Sequence, residues 1–117
     1  MQLLANIAVV AVAVLHLGFL VLEMFLWTKP TGRRIFGLSK ELAEASAGLA
    51  MNQGLYNGFL AAGLLWSLIA GRSVAIFFLA CVIIAGIFGA LTAKRTILFV
   101  QALPGAIALA LVWLARS

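Results

Sequence analysis

Apolar positions along this chain gather in four long runs, at residues 3–27, 49–70, 74–93 and 96–115. Each is close to the roughly 20 residues that a helix needs to cross a hydrocarbon core of about 30 Å. Polar punctuation separates the runs. Gly71-Arg72-Ser73 divides the second from the third, and Lys94-Arg95 divides the third from the fourth. Links this short force antiparallel neighbours. The pattern therefore predicts an all-α, integral membrane, up-and-down bundle of four transmembrane helices. The expected helices are approximately 3–27, 40–70, 74–93 and 96–115, within a single domain of residues 1–117.

The first link is longer, the 21 residues TKPTGRRIFGLSKELAEASAG. Lys29-Pro30-Thr31-Gly32 has turn chemistry. Ser39 suits a helix N-cap, and Glu41 and Glu44 then fall in the first turns, where the helix dipole favours anions. The second helix is thus expected to start near Lys40, ahead of its apolar part. Arg33 and Arg34 flank Ile35, Phe36 and Leu38, a short patch suited to anchoring near lipid headgroups. A lid or an anion clamp is the other reading of that patch.

Composition supports a bilayer as the solvent. The chain is 66% hydrophobic and 9% charged, with a mean hydropathy of +1.22. Soluble domains are about half apolar and about a quarter charged, and a soluble fold of this size could not hide so much apolar side chain. The net charge of +5 does not call for nucleic acid, because the basic residues lie between the apolar runs. Lys29, Arg33, Arg34, Lys40, Lys94 and Arg95 fall on one side, against Arg72 and Arg116 on the other. Excess positive charge stays cytoplasmic, so both termini are expected outside. The first run has no Lys or Arg before Lys29 and is too long for a signal-peptide core, which predicts a retained helix. Cys81 is the sole cysteine, so a disulfide within the chain is excluded and a packing role is expected.

Candidate chemistry lies in the polar residues inside the runs. The stretch VLHLGFLVLEMFLW, residues 14–27, carries His16 and Glu23. Seven residues make two helical turns, so both share a face, roughly 10 Å apart along the axis. Intramembrane ionisable residues are costly and usually face the bundle interior. The second helix carries Asn52, Gln53, Tyr56 and Asn57 on one arc, and the fourth carries Gln101 beside Pro104. By helical rise, Glu23, Asn52, Gln53, Tyr56 and Gln101 sit roughly 5–10 Å below the cytoplasmic interface, with His16 deeper. These residues are expected to form a polar pocket in the cytoplasmic half of the bundle. Glu23 and His16 are the candidate acid–base groups, and Asn52, Gln53, Tyr56, Asn57 and Gln101 the candidate ligand-binding groups. Buried amides also serve as interhelical glue. Gly54, Gly58, Ala85 and Gly89 are expected helix-packing positions. No metal site is expected, since one His and one Glu two turns apart are a poor ligand set. No cofactor is expected either.

The segments LEMFLWTKPTGRRIFGL, NQGLYNGFLAAGL and ILFVQALPG resemble those of a family of small bacterial integral membrane proteins known only as a domain of unknown function. The resemblance covers nearly the whole chain. It implies four transmembrane helices in the bacterial cytoplasmic membrane and implies no activity. Two other classes are similar in outline. Small multidrug resistance transporters are four-helix chains with one essential glutamate in the first helix, as Glu23 is placed here, but the motif around it differs. Membrane-associated eicosanoid and glutathione metabolism proteins carry an Arg-Asn-x-x-Glu-Asn pattern in their second helix. Here that segment reads Asn52-Gln53-Gly54-Leu55-Tyr56-Asn57, which lacks the arginine and the glutamate and matches only at Asn57.

Three functions fit these residues. A pocket-bearing protein, with membrane lipid as a partner, would bind, and by acid–base chemistry at Glu23 could convert, a small lipophilic or amphiphilic molecule. A proton-coupled exporter would use Glu23 to bind proton or cation in exclusion, with Glu23-dependent flux in proteoliposomes as its signature. A structural or accessory subunit would use the same residues as packing glue. A homo-oligomer is expected under all three, because a bundle this small encloses little volume.

Overall fold

The structure, a computed structural model, describes residues 1–115. Arg116 and Ser117, which the charge pattern assigns to the outside, lie beyond the described residues. The fold is all-α, and no strand occurs among the described residues. The helices are α1 (Gln2–Met24), α2 (Pro30–Phe36), α3 (Lys40–Ala70), α4 (Arg72–Thr92) and α5 (Leu103–Leu114), with a π-helical turn at Leu98–Ala102 leading into α5. Two of them, α1 and α4, are long and apolar enough to cross a membrane. At 31 residues α3 is longer than either, but Gln53, Asn57 and Ser67 dilute its apolar half. The apolar helix Leu98–Leu114 is shorter.

The chain divides into two compact units. The first takes in Met1–Ala13 and the chain from Leu60 onward. Its core is made of small and branched side chains at helical spacing: Ala5, Val9 and Val12 from α1, Leu64 from α3, Leu79 and Val82 from α4, Ala108 and Val112 from α5. Small residues let helix backbones approach closely. Gly86 is the clearest case, because a Cβ there would lie 2.5 Å from the backbone nitrogen of Ala102. Gly105 answers from the other side, where a Cβ would lie 2.8 Å from Val82 Cγ1. Gly71 makes the tight α3–α4 link at φ 112°, a conformation that costs glycine little and other residues much.

The π-helical turn has a local cause. Pro104 has no N–H, and its ring crowds the carbonyl four residues earlier. The helix widens instead, and the Leu103 N–H donates to the Leu98 carbonyl, five residues back. Rare as π-helix is, it occurs mostly as such single-turn bulges.

The second unit is residues 14–59. It holds the 21-residue link, and this link is more ordered than its turn residues suggest. Lys29 is extended, as a residue before proline prefers, and Pro30 opens α2. Gly37, at φ 65°, closes it. Ser39 then caps α3, its Oγ accepting from the Leu42 N–H at 3.1 Å. Trp27 fastens the link. Its ring lies 4.8 Å from that of Phe36, and its Nε1–H donates to Ser46 Oγ at 3.0 Å. Ser46 in turn donates to the Leu42 carbonyl at 2.7 Å.

Candidate functional site

The polar residues of the second unit sit on the facing stretches of α1 and α3. His16 is fully buried. It continues the buried stripe of Ala5, Val9 and Val12, whose 4-3-4 spacing is that of one helix face. The edge of its ring meets Phe19 at 5.2 Å between centroids. Two turns on, Glu23 is half-buried.

Asn57 reaches Glu23 from α3. Its side-chain Nδ2 donates to Glu23 Oε1 at 2.5 Å, and its residue is only 7% exposed. A carboxylate offers about four acceptor positions on two oxygens, of which Asn57 takes one. The approach that makes this bond possible is set by glycine. A Cβ on Gly54 would lie 2.6 Å from Met24 Cγ and 3.2 Å from Glu23 Cβ. A Cβ on Gly58 would meet Leu20 Cδ1 at 2.8 Å. Bulk at either position would push α3 away from α1 and lengthen the Asn57–Glu23 bond.

The other amides of α3 do not join this pair. Asn52 and Gln53 are exposed. Tyr56 is 54% exposed and packs edge-on against Phe59. Gln101 lies on the π-helical turn of the first unit, half-buried. Among the packing positions, Ala85 is exposed, and a Cβ on Gly89 would touch Ile97 Cγ2 at 3.0 Å. Among the described residues no group of three His, Cys, Asp or Glu side chains comes together.

Two polar features were not foreseen from the sequence. One is the Trp27–Ser46 bond, which joins residues 19 apart and leaves no periodic trace. The other is Gln2–Asn6, an i,i+4 amide pair at 2.9 Å in the first turns of α1. Its spacing was a readable signal.

A family model described as "Protein of unknown function (DUF1304)" matches residues 10–113. The chain belongs to this family. The match runs from within α1 to within α5, and so includes His16, Glu23 and Asn57. A relative described as "Uncharacterized protein YpaA", from Lactococcus lactis subsp. lactis, is 31% identical over 106 residues, covering 86% of this chain and 89% of the relative. No solved structure matches the chain. The DUF1304 description carries no activity.

Proposed function

We propose that this DUF1304 chain is a multi-pass protein of the bacterial cytoplasmic membrane, a single domain of four spans with both termini outside, assembled as a homo-oligomer. Its spans would be α1, α3, α4 and Leu98–Leu114. The support is where the apolar side chains point. Only 22% of the apolar window of either α1 or α4 is buried, whereas the core helix of a soluble protein would be mostly buried. Ile7, Val14, Phe77, Ile84, Phe88 and Leu91 are all more than half exposed. Monomeric soluble proteins do not present apolar surface on this scale.

Within that bundle, the proposed role is to bind a small lipophilic or amphiphilic molecule beside Glu23. The observation that carries this reading is the Asn57–Glu23 hydrogen bond. An amide that holds one carboxylate oxygen fixes the orientation of the other acceptor positions. A polar head with a donor could bind there while its apolar body lay among the helices. If the ligand has an exchangeable proton, Glu23 is the group placed to accept or return it, with His16 as a second proton carrier deeper on the same face.

The test is to purify wild type, Glu23→Gln and His16→Ala from membranes in mild detergent and identify co-purifying lipophiles by mass spectrometry. A defined molecule present in wild type and depleted in Glu23→Gln is expected. The same lipophile profile and the same cellular phenotype in all three would remove the proposal. A structural reading is favoured by one observation, the close approach at Gly54 beside the bond, which is how interhelical glue is built. It predicts that Glu23→Gln alters stability alone.

A further inference from the structure

We propose that Arg72 and the cavity beside it hold the phosphate of an anionic phospholipid, whose acyl chain lies along the neighbouring groove at Trp113. The cavity belongs to the first unit and has a volume of about 360 Å³. Four helix ends line it: the start of α1, the end of α3, the start of α4 and the end of α5. Its polar residues are Gln2, Asn6, Ser67 and Arg72. Arg72 is the one charged residue among the described lining residues.

The absence of acids is what makes this arginine informative. The chain has three acidic residues, Glu23, Glu41 and Glu44, and all three lie in the other unit. No acidic side chain therefore lies in Arg72's own unit. Among the described residues it meets the Trp113 ring, 4.6 Å from the guanidinium carbon to the centroid, and the Trp113 carbonyl at a long 3.4 Å. Neither neutralises it. A guanidinium fork suits a phosphate, and this one lies beside a cavity rather than against an acidic side chain.

The amides add donors to the same wall. The Gln2 Nε2 donates to Asn6 Oδ1, which fixes the Asn6 amide and leaves its Nδ2 hydrogens for a third group. Ser67 spends its hydroxyl hydrogen on the Leu64 carbonyl, so its oxygen is an acceptor, suited to the hydroxyl of a headgroup such as glycerol. The set thus offers cationic and amide donors with one hydroxyl-facing acceptor.

Trp113 connects this polar wall to an apolar one. Its ring carries Arg72 on one side, and it also lines an open groove of about 430 Å³ with Ile83, Ala106 and Leu109. A free phosphate would use only the cavity. A phospholipid uses both, with its headgroup at Arg72 and a chain in the groove, and the amphipathic tryptophan at the boundary between them. The inference rests on the membrane placement proposed above, with this end at the outer face.

The test is native mass spectrometry of the full chain in mild detergent, with added phosphatidylglycerol or phosphatidylcholine, on wild type, Arg72→Gln, Arg72→Lys, Ala106→Phe and Arg95→Gln. Wild type should retain phosphatidylglycerol over phosphatidylcholine. Arg72→Gln should bind it about tenfold more weakly, the loss expected for a charge-assisted hydrogen bond, and Arg72→Lys should be intermediate. Ala106→Phe fills the groove at an exposed position and should weaken retention with Arg72 intact. Arg95→Gln, which removes the same charge at another exposed position, should behave as wild type. Equal retention by Arg72→Gln and wild type would overturn the inference, as would displacement of the lipid by an equal concentration of glycerol phosphate, which would make the site one for a free anion. Wild type found outside the membrane fraction would sink the membrane reading itself. A membrane-bound protein without this preference would sink only the lipid site.

Discussion

Asn57 on α3 donates its side-chain N–H to Glu23 Oε1 on α1, so the buried amide of one helix is fixed to the carboxylate of the other. The two residues are 34 apart in the chain, and the folded link between them, with α2 and its Trp27 clasp, belongs to the same compact unit. The pairing makes Glu23 and Asn57 a unit whose members should not behave independently.

Asn57→Leu removes the donor and leaves the half-buried carboxylate short of a partner. A loss of roughly 1–3 kcal/mol is expected for such an orphaned group. Glu23→Leu with Asn57→Leu should cost less than the sum of the two single changes, because partners in one hydrogen bond are non-additive. Thermal or denaturant unfolding of the four proteins in one detergent measures this cycle. Additive losses would mean that the bond contributes nothing.

Trp27→Phe keeps an aromatic ring against Phe36 and deletes only the donor to Ser46. The expected cost is about 0.5–1.5 kcal/mol. Ser46→Ala should cost a similar amount on the Trp27 side, and the double variant should show the two as coupled. The tryptophan fluorescence of Ser46→Ala should also shift, reporting the changed surroundings of Nε1. A silent Ser46→Ala spectrum would place the Trp27 indole elsewhere.

Gly86→Val puts side-chain carbon where the backbone of Ala102 lies. Overpacking typically costs about 1–3 kcal/mol, and here the obstacle is backbone, which cannot rotate away. A marked drop in melting temperature is expected, against little effect at the exposed neighbour Ala85→Val. Equal effects at the two positions would contradict the packing of α4 on the π-helical turn.

Leu79→Ala opens a hole in the core of the first unit, where Leu79 is fully buried. About 2–5 kcal/mol is the usual loss for such a truncation. Leu91→Ala, at a position 81% exposed, should be close to neutral. The contrast checks which face of α4 is inward.

The helical class and the start of α3 are legible in the sequence, because both rest on local chemistry. Long apolar runs without strand-like alternation read as helix, and Ser39 with Glu41 reads as a helix start. The link around Pro30 reads as a turn for the same local reason, yet folds as α2. The difference comes from Trp27, Phe36 and Ser46, whose contacts are tertiary and give no periodic signal. Likewise Gly86, rather than a neighbour on α4, meets Ala102, because which glycine faces the π-helical turn depends on the phase of two helices and on the bulge that Pro104 induces. Glu23 and Asn57 stand out singly as polar residues in apolar surroundings. Their bond follows from the Gly54 and Gly58 approach, which residue spacing within one helix cannot specify.

The central claim is that Glu23, held by Asn57, faces a bound lipophile in a membrane-embedded oligomer. Native mass spectrometry of wild type beside Glu23→Gln, both released from mild detergent, tests it most directly. The account predicts an oligomer of wild type carrying a defined small molecule near the Glu23 pair, and a Glu23→Gln oligomer of the same size without that mass. Identical bare oligomers from both proteins would contradict it and leave Glu23 and Asn57 as the glue between α1 and α3.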